Sequence, residues 1–191
     1  MRVIAGSARR MPLKTLAGDA TRPTTDRIKE TLFNMLQPDI PGCRFLDLFA
    51  GSGQMGIEAL SRGAVYAQFV DSSRKAAAVI KENLDFTKLG GLARVDCMTV
   101  AKALHRLDRF AAREPGKRRF DVVFCDPPYG LGLEKEALGI MGAGQAVADG
   151  ALVVVESALG TDFGYAQALG FSIEKEKAYK TNKHVFLRKG A

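Results

Sequence analysis

From Arg44 onward, short apolar runs alternate with longer segments in which apolar residues recur every three or four positions. The runs at Arg44–Leu48, Val65–Val70, Ala93–Val95, Phe120–Cys125 and Ala151–Val155 have strand length and little polar alternation, the pattern of strands buried on both faces. The segments near 53–62, 73–88, 99–112 and 134–148 read as helices. In the third of these, Val100, Leu104, Leu107 and Ala111 fall on one stripe. Strand and helix in strict alternation predict a mainly parallel sheet covered by helices on both faces, joined by right-handed crossovers.

The two ends break this rhythm. Phe171–Tyr179 and Lys183–Arg188 are separated by a short polar turn around Thr181 and Asn182, too short for a parallel crossover, so they are expected to pair antiparallel. At the other end, Arg2–Ala5 and Leu13–Leu16 flank a Gly-Ser turn and suggest a hairpin. Thr24 and Thr25 then read as caps of a helix with Ile28, Leu32, Met35 and Leu36 on one face, ended by Pro38 and Pro41. The expected fold is α/β and Rossmann-like. It has a mainly parallel sheet of seven strands with an antiparallel C-terminal hairpin, and spans residues 42–191. A small hairpin-plus-helix extension covers 1–41.

Length and charge refine this picture. The 191 residues suffice for one domain with a substantial core. The net charge of +7 is uneven: residues 1–30 hold seven basic and three acidic side chains. A polyanion such as nucleic acid suits that surface, although solubility alone also accounts for it. No long apolar run exists: Ala151–Val155 stops at Glu156, far short of a membrane span, and the basic N-terminus lacks a signal-peptide core. A cytoplasmic monomer is expected. Cys43, Cys97 and Cys125 are widely spaced, and His105 and His184 are the two histidines, so neither a disulfide framework nor a metal site is expected.

The first chemical motif follows the first core strand. Asp47-Leu-Phe-Ala-Gly51-Ser-Gly53-Gln-Met-Gly56 contains a GxGxxG, and Asp71 ends the second strand. Glycines there admit a ligand close to the backbone, and the acid can accept hydrogen bonds from ribose hydroxyls. A dinucleotide and S-adenosylmethionine both fit such a loop. Asp47 favours the second, since a carboxylate suits a cationic aminoacyl group and repels a pyrophosphate; a turn or capping role is its plainer alternative. The expected cofactor residues are Asp47, Phe49, Ala50, Gly51, Gly53, Asp71 and Ser72. Asp96 and Cys97, at the end of the third strand, are expected beside the adenine.

The second motif ends the fourth strand: Val122-Val-Phe-Cys-Asp126-Pro-Pro-Tyr129-Gly. Neither proline can donate to a ladder, so the strand must stop there, leaving an acid, a rigid backbone and a flat ring at its tip. In open α/β sheets ligands bind beyond the carboxyl ends of strands, so Asp47 and Asp126 are expected to face one crevice. An exocyclic amine on a base is a poor nucleophile until it donates hydrogen bonds to the Asp126 carboxylate and the Pro127 carbonyl, which favour a pyramidal nitrogen with its lone pair free for attack. Pro127 and Pro128 would hold these acceptors in place beforehand, and Tyr129 would stack on the base. A rigid turn with a capping acid is the plainer reading.

With these motifs in order, the chain resembles the class I S-adenosylmethionine-dependent methyltransferases. MRVIAGSARRMPLKTL, Thr21-Arg22-Pro23-Thr24-Thr25-Asp26-Arg27 and Glu30-Thr-Leu-Phe-Asn34-Met-Leu narrow the resemblance to the RsmD-type family. That resemblance implies methylation of the 2-amino group of one guanine in 16S ribosomal RNA, within an assembled or assembling small subunit. It also places Asp126, Pro127 and Tyr129 on the target base and Arg22, Pro23 and Thr24 near the site. Tyr179-Lys-Thr-Asn departs from the Tyr-Gly expected there in the family. About forty residues outside the methyltransferase domain are few for reading duplex DNA but enough for a target shaped by folded RNA. Arg9, Arg10, Lys14, Arg22 and Arg27 are expected to contact phosphates.

Three rivals remain at this stage. One is an adenine or cytosine amino-methyltransferase acting on another RNA or on DNA. Another is an NAD-dependent oxidoreductase, which leaves Asp126–Tyr129 unused. The last is a non-catalytic RNA-binding domain, against which Asp126 argues.

Overall fold

A computed structural model describes residues 1–16, 26–114 and 119–190. Thr24 and Thr25, expected as caps, and Arg22 and Pro23 lie outside the described residues. The chain divides into two compact units, Met1–Met98 and Thr99–Ala191.

In the first unit, α1 (Asp26–Met35) precedes β1 (Arg44–Leu48), α2 (Gln54–Ser61), β2 (Tyr66–Asp71), α3 (Arg74–Thr87) and β3 (Ala93–Cys97). The three strands are parallel in the order β3-β2-β1, with Asp47 beside Phe69 and Asp71 beside Cys97. Phe45, Leu46, Leu48, Ala67, Phe69 and Val70 are all fully buried, as the unbroken apolar runs required. Each large side chain of this set contributes about 1.5–3 kcal/mol through burial. Ser73 caps α3 through its hydroxyl, which accepts from the Ala76 amide.

Two expectations for the N-terminal region are refined. The two segments of the expected hairpin pair antiparallel only briefly, through the bridge of Arg2 to Pro12, with the Val3 amide on the Met11 carbonyl at 3.0 Å and the Leu13 amide on the Met1 carbonyl at 3.1 Å. Other backbone groups of the segment bind α2: the Ile4 and Ala5 amides donate to the two oxygens of Glu58 at 2.8 and 3.0 Å, and the Ala8 amide to Ser61 Oγ. Helix α1 buries Lys29, Leu32 and Phe33, with Leu36 just beyond, whereas Ile28 and Met35 are half-buried. The inward stripe is rotated because Lys29 belongs inside. Its ammonium donates to the Arg2 carbonyl at 2.6 Å and lies 3.6 Å from Glu58 Oε2. Arg62 Nε donates to Glu58 Oε1 from the opposite side at 2.8 Å. Burial pushes the Lys29 ammonium below its ordinary value despite the attraction of Glu58.

In the second unit, α4 (Val100–Arg113), β4 (Phe120–Cys125), α5 (Leu133–Ala143) and β5 (Val147–Ala158) are followed by the hairpin β6 (Phe171–Ala178) and β7 (Asn182–Lys189). Strand β5 is parallel to β4 and antiparallel to β7, which pairs antiparallel with β6. Helix α5 stops at Ala143, short of the expected 148, and β5 begins at Val147. Asp108 Oδ1 accepts from the Gln145 and Ala146 amides at 2.9 and 2.8 Å, turning the chain there, and glycines at 142 and 144 weaken any continuation of the helix. The strand order overall is β3-β2-β1-β4-β5-β7-β6, mixed and mainly parallel. No helix among the described residues is long and apolar enough to cross a membrane.

Candidate active site

The turn after β1 is built from unusual backbone. Phe49 and the glycines 51 and 53 all have positive φ, 61°, 53° and 78°. For phenylalanine this is a strained state, tolerated because its neighbours fix the turn. The Ala50 amide donates to the Val70 carbonyl, and the Gly53 amide to the Ala50 carbonyl at 2.7 Å. The third glycine of the motif serves packing: a Cβ on Gly56 would lie 2.3 Å from the buried ring of Phe69. A Cβ on Gly51 would meet nothing within 4 Å, so open space lies over the loop at that point.

Asp47 is fully buried, and its Oδ2 accepts the Gly56 amide at 2.9 Å. Burial raises its carboxyl to about 8, only partly offset by that bond. Asp71 receives the Gly51 amide on Oδ2 at 2.9 Å and the Ser73 amide on Oδ1 at 2.8 Å. Two donors leave lone pairs on both oxygens, so Asp71 fixes the loop and can still accept from ribose hydroxyls. Ser72 is exposed beside it.

Asp96 and Cys97 diverge. Cys97 is exposed, with Sγ 3.7 Å from the Ser72 carbonyl oxygen. The Asp96 carboxylate is buried, accepting from Gln68 Nε2 at 2.8 Å and facing Arg94 Nε at 3.4 Å. It therefore ties β3 to β2. The Gln54 side chain, at the first turn of α2, holds a buried Oε1 with no hydrogen-bond partner. Sequence reasoning did not single out Gln54; its place one residue after Gly53 was the available signal. Open space over Gly51, an unpaired acceptor on Gln54, a buried acid on Asp47 and spare lone pairs on Asp71 together fit a ligand that brings hydrogen-bond donors and positive charge.

In the second unit, the residues after β4 lie at its carboxyl end. Asp126 is half-buried, Pro127 buried and Pro128 exposed. Tyr129 is 46% exposed, while its hydroxyl donates to Glu156 Oε1 at 2.8 Å. It is neither a free surface ring nor a core ring. Glu156, Asn182 and His184 form a buried cluster behind it that sequence reasoning missed.

Of the basic residues expected at phosphates, Arg9, Arg10 and Arg27 are exposed. Lys14 is exposed too, but its ammonium pairs with Glu82. Its backbone is clamped by Asn83, whose Oδ1 accepts the Lys14 amide and whose Nδ2 donates to the carbonyls of Lys14 and Ser52. One buried side chain thus joins the basic segment to the glycine turn.

The strand order with its antiparallel last pair, the glycine turn after β1 and the acid ending β2 define a class I S-adenosylmethionine-dependent methyltransferase. Residues 1–188 match the family model described as Conserved hypothetical protein 95, and the chain belongs to that family. The Ribosomal RNA small subunit methyltransferase D of Escherichia coli K12 is 34% identical over 177 residues, covering 93% of this chain and 84% of that protein. The YlbH protein of Bacillus subtilis is 44% identical over 156 residues, 82% of each chain. The solved structure of yhhF from Escherichia coli superposes with a TM-score of 0.84 at 33% identity, covering 100% of this chain and 98% of that one.

Proposed function

We propose that the protein transfers a methyl group from S-adenosylmethionine to the 2-amino group of one guanine in 16S ribosomal RNA, acting in the cytoplasm as a monomer on an assembled or assembling small subunit. The observation that carries this reading is Tyr129: an exposed ring with a tethered hydroxyl, three residues beyond an acid at the tip of β4. The names of the relatives support the RNA substrate.

The residues of the first unit hold the cofactor: Asp47 and Gln54 toward its amino-acid part, Asp71 toward its ribose, with Gly51 leaving room. When bound, the cofactor supplies an electrophilic methyl group on a sulfonium. The residues of the second unit prepare the acceptor. The lone pair of the guanine amine is delocalised into the ring. Hydrogen bonds from its two N–H groups to the Asp126 carboxylate and the Pro127 carbonyl localise that lone pair and direct it out of the base plane. The two prolines fix these acceptors before the base arrives. Tyr129 stacks on a base removed from its neighbours, and the proton released from the amine leaves to Asp126 or to water. The extension 1–41 contacts RNA phosphates through Arg9, Arg10, Arg22 and Arg27, with Lys14 joining them only if Glu82 releases it.

Transfer of labelled methyl to small ribosomal subunits, naked ribosomal RNA and DNA tests this reading. Label in small-subunit RNA is expected, and label in DNA alone would refute the substrate.

A further inference from the structure

Three donors end on one buried carboxylate behind the exposed tyrosine. Glu156 Oε1 accepts from the Tyr129 hydroxyl at 2.8 Å and from Asn182 Nδ2 at 2.6 Å, and Oε2 receives His184 Nε2 at 3.0 Å. Glu156 and His184 are directly paired across the β5–β7 ladder, and Asn182 begins β7. The His184 ring is fully buried, with edge contacts to Phe124 at 6.1 Å and Tyr179 at 4.9 Å between centroids. Its Nδ1 has no hydrogen-bond partner, so Nε2 is the nitrogen committed to the carboxylate.

Such a cluster is rigid. Burial alone would raise Glu156, yet the bonds from His184, Tyr129 and Asn182 hold it below its ordinary value, so the acceptor stays an anion. Burial and the adjacent Glu156 push the Tyr129 phenol well above its ordinary value, so it stays a donor. The prolines fix the backbone up to Tyr129, but its side chain stands among exposed neighbours: Pro128, Gly130 and Leu131 are all exposed, so packing does not set the ring. Without its tether, the ring could turn about both side-chain torsions. With the hydroxyl fixed at one end and Cα at the other, its plane is set.

We propose that Glu156 is a positioning residue for methyl transfer: through the Tyr129 hydroxyl it fixes the plane on which the target base stacks, and Asn182 and His184 hold Glu156 in turn. This rests on the proposed function, which assigns Tyr129 to the base.

Tyr129→Phe removes the tether and keeps the ring, on a half-exposed side chain outside the core. It should lower kcat/KM for the RNA about ten- to a hundredfold, the range of a hydrogen bond to a charged acceptor. KM for S-adenosylmethionine should not change. Glu156→Ala should match it, Glu156→Gln should recover part of the loss because its amide oxygen still accepts, and Tyr129→Phe combined with Glu156→Gln should be no worse than Tyr129→Phe alone. Multiplying losses, or an equal rise in both KM values, would overturn the proposal. A second readout needs no substrate: in protein labelled with 3-fluorotyrosine, the Tyr129 signal, identified by its loss in Tyr129→Phe, should shift in both Glu156 variants. An unmoved signal overturns the tether. If the wild type methylates no RNA, the proposed function falls, and the fluorine signal still decides whether Glu156 holds Tyr129.

Discussion

Gly56 donates its amide hydrogen to Asp47 Oδ2 at 2.9 Å, so the acid near the end of β1 caps the first turn of α2. The plainer sequence reading of Asp47, a capping aspartate, thus describes one of its oxygens. The other lies in a buried site that raises the carboxyl to about 8, a cost that a capping role alone does not explain.

The raised value makes cofactor binding depend on pH. Below 8 the free protein holds Asp47 largely neutral, and a cationic aminoacyl group favours the anion, so binding releases a proton. Affinity for S-adenosylhomocysteine should therefore rise between pH 6 and 8, by at most about tenfold per unit, and level off above. Calorimetry in buffers of different ionisation heat reads the proton directly. Asp47→Asn should bind more weakly with a flat profile, and a flat wild-type profile contradicts the assignment. Without ligand the sign is opposite to the usual acid. The raised group contributes stability below its ordinary 3.8, and this is lost as pH climbs toward 8.

The glycines of the turn should separate by what their missing side chains leave room for. Gly51→Ala faces open space and meets only the strain of φ 53°, about 1 kcal/mol. It should fold almost normally and lose most cofactor affinity. Gly56→Ala drives a methyl into the Phe69 ring and should lose about 1–3 kcal/mol of stability through overpacking. Thermal melts and calorimetry on the two variants check the contrast.

Glu58 is the point on which the N-terminal segment hangs. Glu58→Ala leaves Lys29 buried without its anion and strands the Ile4 and Ala5 amides, so it should cost about 3–5 kcal/mol and lower the melting temperature by roughly 10 °C. Trypsin should then cut faster at Arg9 and Arg10. Lys29→Met should cost less, because Arg62 still pairs with Glu58.

The parallel strands, their helices and both chemical motifs were legible because buried strands leave unbroken apolar runs and glycines and prolines punctuate locally. Other features depend on partners distant in the chain. Nothing near Lys29 signals burial, since Glu58 arrives 29 residues later and Arg62 lies 33 residues on. Asp96 reads as a free strand-end acid until Gln68 is placed beside it. Glu156 read as the residue just past a strand, Asn182 as part of a turn and His184 as an ordinary strand residue, and only the antiparallel register of β5 and β7 makes them one site. The start of β5 at Val147 was hidden because Asp108, on another helix, makes the turn before it.

The central claim is that Asp126 prepares the 2-amino group of a guanine in small-subunit RNA. The most direct measurement is mass spectrometry of nucleosides from 16S ribosomal RNA, taken from cells carrying the wild-type protein or Asp126→Ala as the sole copy. One N2-methylguanosine should be present with the wild type and absent with the variant, while purified Asp126→Ala still binds S-adenosylhomocysteine. The same nucleoside at full level in both cells would contradict the account.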